Sequence, residues 1–518
     1  MPHQTLAAVD LGSNSFHLQI VRVVDRQLYA LDSLKETVRL GAGVTADKQI
    51  DAKTAERALA ALRLFAERLH GMPRDAVRVV GTNALRIAKN AHNFVREAEA
   101  TLGYPLEIIA GREEARLIYL GVAHSLPPDN QNRLVVDIGG GSTEIIIGHR
   151  LKPKLLESLY MGCVTFSERY FPGGKVDKKS FKDAEYAAAR ELESIITPFK
   201  KEGWRNAYGS SGTAKALGTI MIENGLSQHA ITREGLAWLK DKALRAGDFK
   251  NLDIPGVKGD RLPVLPGGLA IMTAIFAELD LREMSIADTA LRDGVLYDLL
   301  GRSYHADIRD ATVLQLAKRY HTDTAQAKRV ENLAMRFFDA LMENEGKNAA
   351  KNSLKTGAEN LFQSRQTLGW ACSLHEIGIS IAQAAFHKHS AYIIGNADMP
   401  GFSKREQASL AVLILSQRGK LGKVSAELAA DRAFTVRAIC LRLAVLLSRS
   451  RRNINPKFFT LAHINDSTNE PEGFALDVEA NWLASHDLTN YELKQEAAEW
   501  ASVDLNMVIT GSRTTGTR

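Results

Sequence analysis

The sequence predicts an α/β protein: two similar lobes with a cleft between them, then an all-α block and a small α+β segment. Three observations carry this expectation. A strand, a tight glycine turn and a second strand occur twice, around Ala8-Val9-Asp10-Leu11-Gly12-Ser13-Asn14-Ser15 and around Val136-Asp137-Ile138-Gly139-Gly140-Gly141-Ser142-Thr143-Glu144. Each copy is followed by apolar β-type runs alternating with helical periodicities, as in mixed sheets with crossover helices. From about Gly301 onward the strand signals give way to long amphipathic helices.

In the first lobe, Leu6 to Val9 and Phe16 to Val24 predict a hairpin, with Gln27 to Thr37 as a further extended stretch. Apolar Leu59, Leu62, Leu64, Phe65 and Leu69 recur near a 3.6-residue period, which makes Asp51 to His70 a helix. Val77 to Val80 is a buried strand ending in Gly81-Thr82, with Arg86 at the start of the next helix. Leu106 to Ala110 is a strand, and Glu113 to His124 a helix leading to the second lobe. There Leu134 to Val136, Ile145 to Ile147 and Leu155 to Tyr160 repeat the opening sheet. A helix from Lys179 to Lys200 leads to the turn Gly209-Ser210-Ser211-Gly212, and the stretch from Asp288 to Gly294 leads into a last helix near Leu300. In the helical block, Val313 to Tyr320, Ala327 to Met342 and Arg405 to Leu415 read as helices. Phe458 to Ile464 and Phe474 to Val478 read as strands, and 511–518 as a disordered tail. The expected boundaries are 1–124, 125–302, 303–453 and 454–518.

At 518 residues the chain exceeds a single core. Cys163, Cys372 and Cys440 are far apart and odd in number, which excludes a disulfide framework and a C-x-x-C zinc site and fits a reducing compartment. The amino terminus lacks a signal-peptide pattern, and no apolar run approaches the roughly 20 residues of a membrane span. A cytoplasmic protein is expected, with peripheral membrane association left open. The formal net charge of +6 gathers locally at Lys175, Lys178, Lys179 and Lys182, at Lys200, Lys201 and Arg205, and at Arg449, Arg451 and Arg452. Such fields attract polyanions, although solvated surface is the commoner reading of each cluster alone. No nucleic-acid motif or interleaved aromatics accompany them, so a specific nucleic-acid partner is not expected.

The glycine turns carry the chemistry. Glycines let backbone amides close on an anion, and two such loops facing each other would hold a phosphate chain between them. Gly139, Gly140, Gly141 and Ser142 supply amides and a hydroxyl. Asp137 and Glu144, at the two ends of that loop, suit a hard cation such as Mg2+. Arg86 offers a permanently charged fork for phosphate oxygens. Taken alone, Glu113-Glu114 reads as acids stabilised at a helix amino terminus.

Five motifs in order (Asp10-Leu11-Gly12-Ser13-Asn14-Ser15, Gly81-Thr82-Asn83-Ala84-Leu85-Arg86, Gly111-Arg112-Glu113-Glu114-Ala115, the stretch Asp137 to Glu144, and Gly209-Ser210-Ser211-Gly212-Thr213) make the chain resemble the exopolyphosphatase and guanosine pentaphosphate phosphatase family. The resemblance covers nearly the whole chain and implies two actin-like (ASKHA, ribonuclease H-like) lobes. It implies a hydrolase in which Glu114 activates water, Mg2+ assists with a monovalent cation such as K+, and Arg86 binds the phosphorylated ligand. Asp10, Ser13 and Asn14 of the first loop, and Ser211, Gly212, Thr213 and Lys215 of the third, are further phosphate-binding candidates; Glu113 is expected to face solvent. Met161 to Phe166 and Tyr170 to Gly174 look closer to exopolyphosphatases, so inorganic polyphosphate is the leading substrate, cut processively from its end. Guanosine pentaphosphate (pppGpp), converted to ppGpp, is the alternative. A non-catalytic alarmone-binding regulator would need only the loops and Arg86. The resemblance also implies a homodimer and an HD-like helical block. There His375-Glu376 carries Glu where HD phosphohydrolases carry Asp, which favours a helix-packing role for His375, His387 and His389 over a metal site.

Overall fold

The computed structural model describes residues 3–25, 27–127, 130–257, 259, 261–303, 307–348, 356–464 and 473–512. Its packing divides the chain into two compact units, Met1–Ile308 with Pro400–Lys404, and Arg309–Met399 with Arg405–Arg518.

The first unit holds two sheets built to one plan. In the first lobe these are β1 (Thr5–Leu11), β2 (Phe16–Val24), β3 (Gln27–Glu36), α1 (Ala52–Leu69), β4 (Val77–Gly81), α2 (Asn83–Ile87), α3 (Ala91–Leu102), β5 (Leu106–Ile108) and α4 (Gly111–Ser125). In the second they are β6 (Asn132–Ile138), β7 (Thr143–His149), β8 (Lys152–Leu159), α5 (Cys163–Tyr170), α6 (Lys178–Glu202), β9 (Asn206–Ser210), α7 (Ser211–Glu223), β10 (Ala230–Thr232), α8 (Arg233–Ala246), α9 (Leu265–Glu278), β11 (Glu283–Ile286) and α10 (Leu291–Ser303). The strand orders are β3-β2-β1-β4-β5 and β10-β11-β9-β6-β7-β8. Each sheet has an antiparallel meander on one side and parallel crossover strands on the other, as in the actin-like fold, with β10 added antiparallel at the edge of the second. The crossover helices even start alike. Asp51 accepts from the Thr54 amide at the head of α1, and Asp177 from the Ser180 amide at the head of α6.

Two expectations shift. Arg86 lies in the last turn of α2, which is only five residues long, rather than at a helix start. Helix α9 has no separate signal in the sequence reading: it is buried on nearly every side, so no 3.6-residue stripe marks it.

The second unit consists of α11 (Ile308–Arg319), α12 (Thr324–Asn348), α13 (Thr356–Leu374), α14 (Phe386–Asn396), α15 (Lys404–Ser416), α16 (Ser425–Ala430), α17 (Arg432–Leu447), β12 (Phe459–Ile464), β13 (Gly473–Glu479), α18 (Ala480–Ala484), α19 (Asp487–Ala501) and β14 (Asn506–Ser512). The strands form one small sheet, β12-β13-β14. Gly511 and Ser512, expected in a disordered tail, end β14 paired to Val478 and Glu479; 513–518 lie outside the described residues. Among the described residues no helix is long and apolar enough to cross a membrane.

Candidate active site

The two glycine turns occupy equivalent places. Pairing of Leu11 with Phe16 closes the loop 12–15, and pairing of Ile138 with Thr143 closes the loop 139–142. They also face each other. A Cβ on Gly140 would lie 3.0 Å from Ser13 Cβ and 3.4 Å from the Asn14 amide, and one on Gly141 would collide with Asn83 Nδ2 at 2.1 Å. The glycines of the second loop thus let side chains of the first lobe reach its backbone. The amides of Ser13, Asn14, Gly140 and Gly141 make no hydrogen bond among the described residues, whereas the Gly139 amide donates to Ser142 O at 2.9 Å. On the far side, the carbonyls of Gly139 and Gly140 accept the Cys163 and Val164 amides at 2.9 Å each, anchoring the loop to the head of α5. Ser142 is buried behind it.

Around this gap stand four carboxylates from four elements: Asp10 at the end of β1, Asp137 and Glu144 facing each other across β6 and β7, and Glu114 in the first turn of α4. Burial, then the charges of Glu114 and Asp137, push Asp10 up to about 7 although Arg292 opposes this. Burial raises Asp137 to about 6 despite hydroxyls from Ser210 and Ser211, the first at 2.5 Å from Oδ2. Glu144 is raised well above the carboxylate range by burial and by Glu114 and Asp137, with Ser158 Oγ donating to it at 2.7 Å. Asp10 Oδ1 is sealed from solvent without a partner. Crowded carboxylates that burial drives toward neutrality, one with an orphaned oxygen, are a donor set that a divalent cation would relieve. Among the described residues no three His, Cys, Asp or Glu side chains converge as a ready-made metal cluster. A magnesium ion here would therefore take one or two carboxylates and complete its shell with water and ligand phosphate, which is its usual preference.

Arg86 bridges this group. Its Nη1 donates to Glu114 Oε2 at 2.6 Å and to the Ile109 carbonyl at 3.2 Å. Burial works against its charge, but Glu114 and Glu144 hold the guanidinium proton more tightly than usual. The arginine expected to meet phosphate therefore also orients the carboxylate expected to activate water, leaving Glu114 Oε1 outside that bond.

Glu113 does not face solvent. It is 3% exposed, chelated by Arg116 at 2.7 and 2.8 Å, and it accepts the Gly401 amide at 2.9 Å. Arg116 continues to Asp298, which also binds Arg78 and Arg302, and Arg302 donates to Gly401 O. This buried network locks α4, β4, α10 and the 400–404 segment together directly behind Glu114. A pair of adjacent acids reads as solvated when a partner 288 residues away in sequence, the Gly401 amide, is not visible.

In the third loop Ser211 adopts a left-handed φ of 67°, and its hydroxyl and that of Thr213 donate to Ile138 O at 3.1 and 3.0 Å. These bonds tie the loop to the end of β6. Gly212 leaves room for the Arg261 guanidinium, which a Cβ would meet at 2.0 Å. Lys215 is half-exposed, donates to Asp288 O at 2.6 Å, and acts on Asp137 only through its charge. Sequence reasoning missed four residues here: Asn83, Arg261, Arg292 and His17. Asn83 stood inside a motif and could have been singled out; the two arginines come from stretches without a motif.

The sequence profile of the Ppx/GppA phosphatase family matches residues 19–303. The chain belongs to the Ppx/GppA phosphatase family. A second profile, Ppx/GppA phosphatase domain III, covers residues 308–497, so the helical unit is part of the same architecture. The exopolyphosphatase of Cytophaga hutchinsonii is 23% identical, with a TM-score of 0.53 over 58% of this chain and 98% of that one, a likeness that shows the fold. An exopolyphosphatase-like protein is 26% identical, with a TM-score of 0.51 over 57% of this chain and 99% of that one. Membership of Ppx/GppA makes phosphohydrolysis the chemistry of this chain. In its helical unit, His375 is buried with Nδ1 2.7 Å from Cys372 O, and Glu376 is turned to Arg451 at 2.8 Å, an arrangement suited to helix packing.

Proposed function

We propose that the chain is an exopolyphosphatase that removes terminal phosphoryl groups from inorganic polyphosphate and releases orthophosphate. The observation that carries this reading is the convergence of two amide-bearing loops with the Arg86–Glu114 pair and the Asp137–Glu144 pair. The unpaired amides of Ser13, Asn14, Gly140 and Gly141 would receive the oxygens of the terminal phosphoryl group. Arg86, swinging from Glu114 or sharing its fork, would add a charged donor. Glu114 would accept one proton of a water as its oxygen bonds to phosphorus, and the anhydride P–O bond would break to leave a chain one unit shorter. Magnesium held through Asp137 and Glu144 would neutralise charge on the phosphoryl oxygens. The choice of polymer over nucleotide is supported by the exopolyphosphatase-like stretch from Met161 to Gly174, whose start packs on the second loop: Gly162 leaves no room for a Cβ beside Gly140 O.

Initial rates of phosphate release from long polyphosphate and from guanosine pentaphosphate, at matched concentration with magnesium, test the reading. Faster release from polyphosphate is expected. Faster release from the nucleotide would reassign the substrate, and no release from either would leave a binding protein.

A further inference from the structure

The end of β8 holds a tyrosine at the lip of the site that no step of the reaction uses. Tyr160 is 77% exposed, and among the described residues neither its ring nor its hydroxyl has a partner. A lone exposed aromatic is ordinary surface. Its backbone is not. The Met161 amide donates to Leu159 O at 2.8 Å with Tyr160 at negative φ, an inverse γ-turn whose apex is Tyr160. Both legs of the turn are fastened to the residue that closes the second glycine loop: Leu159 pairs with Thr143, and Thr143 Oγ1 donates to Met161 O at 2.6 Å. The next residue, Gly162, has Gly140 O 2.3 Å from where a Cβ would stand. The turn is therefore fixed on the loop, and it presents one side chain with a polar tip to solvent.

The other leg leads into the carboxylate group. Ser158 donates to Glu144 at 2.7 Å, and a Cβ on Gly111 would lie 2.6 Å from Ser158 Cβ and 3.9 Å from Arg86 Nη2. Arg86 spends Nη1 on Glu114 and the Ile109 carbonyl, whereas Nη2 makes no hydrogen bond among the described residues. Tyr160 is near enough to act electrostatically on that guanidinium. Two unspent donors, Arg86 Nη2 and the Tyr160 hydroxyl, thus stand at this lip beside the free amides of Gly140 and Gly141. Donors that gather without acceptors of their own suit an anion larger than the single phosphoryl group the loops receive.

We propose that Tyr160 is a substrate-contacting specificity residue: its hydroxyl donates to a phosphoryl oxygen of the bound chain, beyond the group held by the glycine loops and next to Arg86. This rests on the phosphoanhydride reading above and adds to it a residue that holds the departing part of the substrate. Such a contact is made before and during cleavage alike, so its loss appears in KM rather than kcat.

The test compares Tyr160→Phe and Tyr160→Leu with wild type, using tripolyphosphate and magnesium. Affinity is measured by calorimetry on the full chain carrying Glu114→Gln, which keeps the substrate intact, and KM and kcat on the chain with Glu114 in place. Tyr160→Phe is expected to weaken binding and raise KM about tenfold, the scale of a hydrogen bond to a charged group, with kcat and the melting temperature kept. Tyr160→Leu should match it, since only the hydroxyl is at stake. Unchanged affinity and KM in Tyr160→Phe, with wild type releasing phosphate, overturn the proposal and leave the substrate reading intact. A loss confined to kcat also overturns it. Affinity decides the matter equally if wild type binds without cleaving. Should wild type neither bind nor cleave tripolyphosphate, the substrate reading falls, and the same variants are titrated with guanosine pentaphosphate. There an equal loss in both variants supports the hydroxyl contact. No loss in either overturns it, and a loss in Tyr160→Leu alone overturns it in favour of a ring stacked on the base.

Discussion

The hairpins β1–β2 and β6–β7 differ most where they are most alike. Asp10 and Asp137 stand at equivalent positions, but the residue paired with Asp10 is His17, while the one paired with Asp137 is Glu144. The loops diverge in the same way: Ser13 and Asn14 carry side chains where Gly140 and Gly141 carry none, and the side chains of one lobe fill the space the glycines of the other leave. One plan thus yields two jobs. The second lobe concentrates carboxylate charge and bare backbone, and the first supplies contacts, together with Arg86 and Glu114 that sit against that charge. Duplication explains the architecture, and the departures from it mark the chemistry.

The sharpest way to break this comparison is at Glu114. Glu114→Gln should cut kcat by about 10² or more, the usual contribution of a general base, with substrate affinity nearly kept. The neighbouring Glu113→Gln should behave oppositely, losing up to about 3 kcal/mol of stability because Arg116 is left with a weaker partner in a buried network, while turnover of the folded fraction survives. Steady-state phosphate release beside a denaturant melt separates the two. A Glu114 variant with normal turnover would move the chemistry elsewhere.

The interlocking of the loops is tested by Gly141→Ala. Its Cβ would meet Asn83 Nδ2 at 2.1 Å, which should destabilise by about 1–3 kcal/mol and lower activity. Adding Asn83→Ala should restore much of both. An additive double mutant would show that the glycine serves only the phosphate-binding backbone.

Much of this was legible in the sequence because both hairpins are local. The Asp-x-Gly turns, the capped crossover helices and the strand runs each lie within a few residues, and periodicity reports them. What stayed hidden was non-local or featureless. Glu113 takes its meaning from Asp298 and Gly401, Gly212 from Arg261, and α9 has no polar face to reveal it. The role assigned to Glu114 came from resemblance rather than from the residues alone, whereas Asp137 and Glu144 were legible as cation ligands from their places at the two ends of the glycine loop.

The two paired positions should also respond to pH with opposite sign. Burial, then Arg292, Lys35 and Arg261, lowers His17 to about 3, so the unfolded chain takes up the proton first and stability is lost as pH falls below about 6.5. Glu144 is raised, so its ionisation in the unfolded chain removes stability as pH rises above about 4.3. Melting curves between pH 4 and 9, with a chelator present, should show His17→Gln gaining on wild type toward acid and Glu144→Gln gaining toward base. Parallel slopes in the two variants would erase the distinction between the lobes.

The smallest effect is expected at the heads of the crossover helices. Asp51-Ala52-Lys53-Thr54 caps α1 and Asp177-Lys178-Lys179-Ser180 caps α6, with the same side-chain-to-amide bond. Only the second carries a surplus of lysines, with Lys182 one turn on, over the Tyr186 ring at 5.2 Å. Positive charge at a helix amino terminus opposes the macrodipole, so these lysines work against their own helix by about 0.3–1 kcal/mol each at most. A polyanion passing the second lobe would reverse that cost. Replacing Lys178, Lys179 and Lys182 together by Gln should leave the melt unchanged or raise it slightly. Binding of long polyphosphate should weaken and become less salt-dependent, because fewer counterions are released, while short chains should bind as before. Unchanged long-chain affinity together with an unchanged salt slope would reduce the cluster to solvated surface and leave the two crossover helices equivalent.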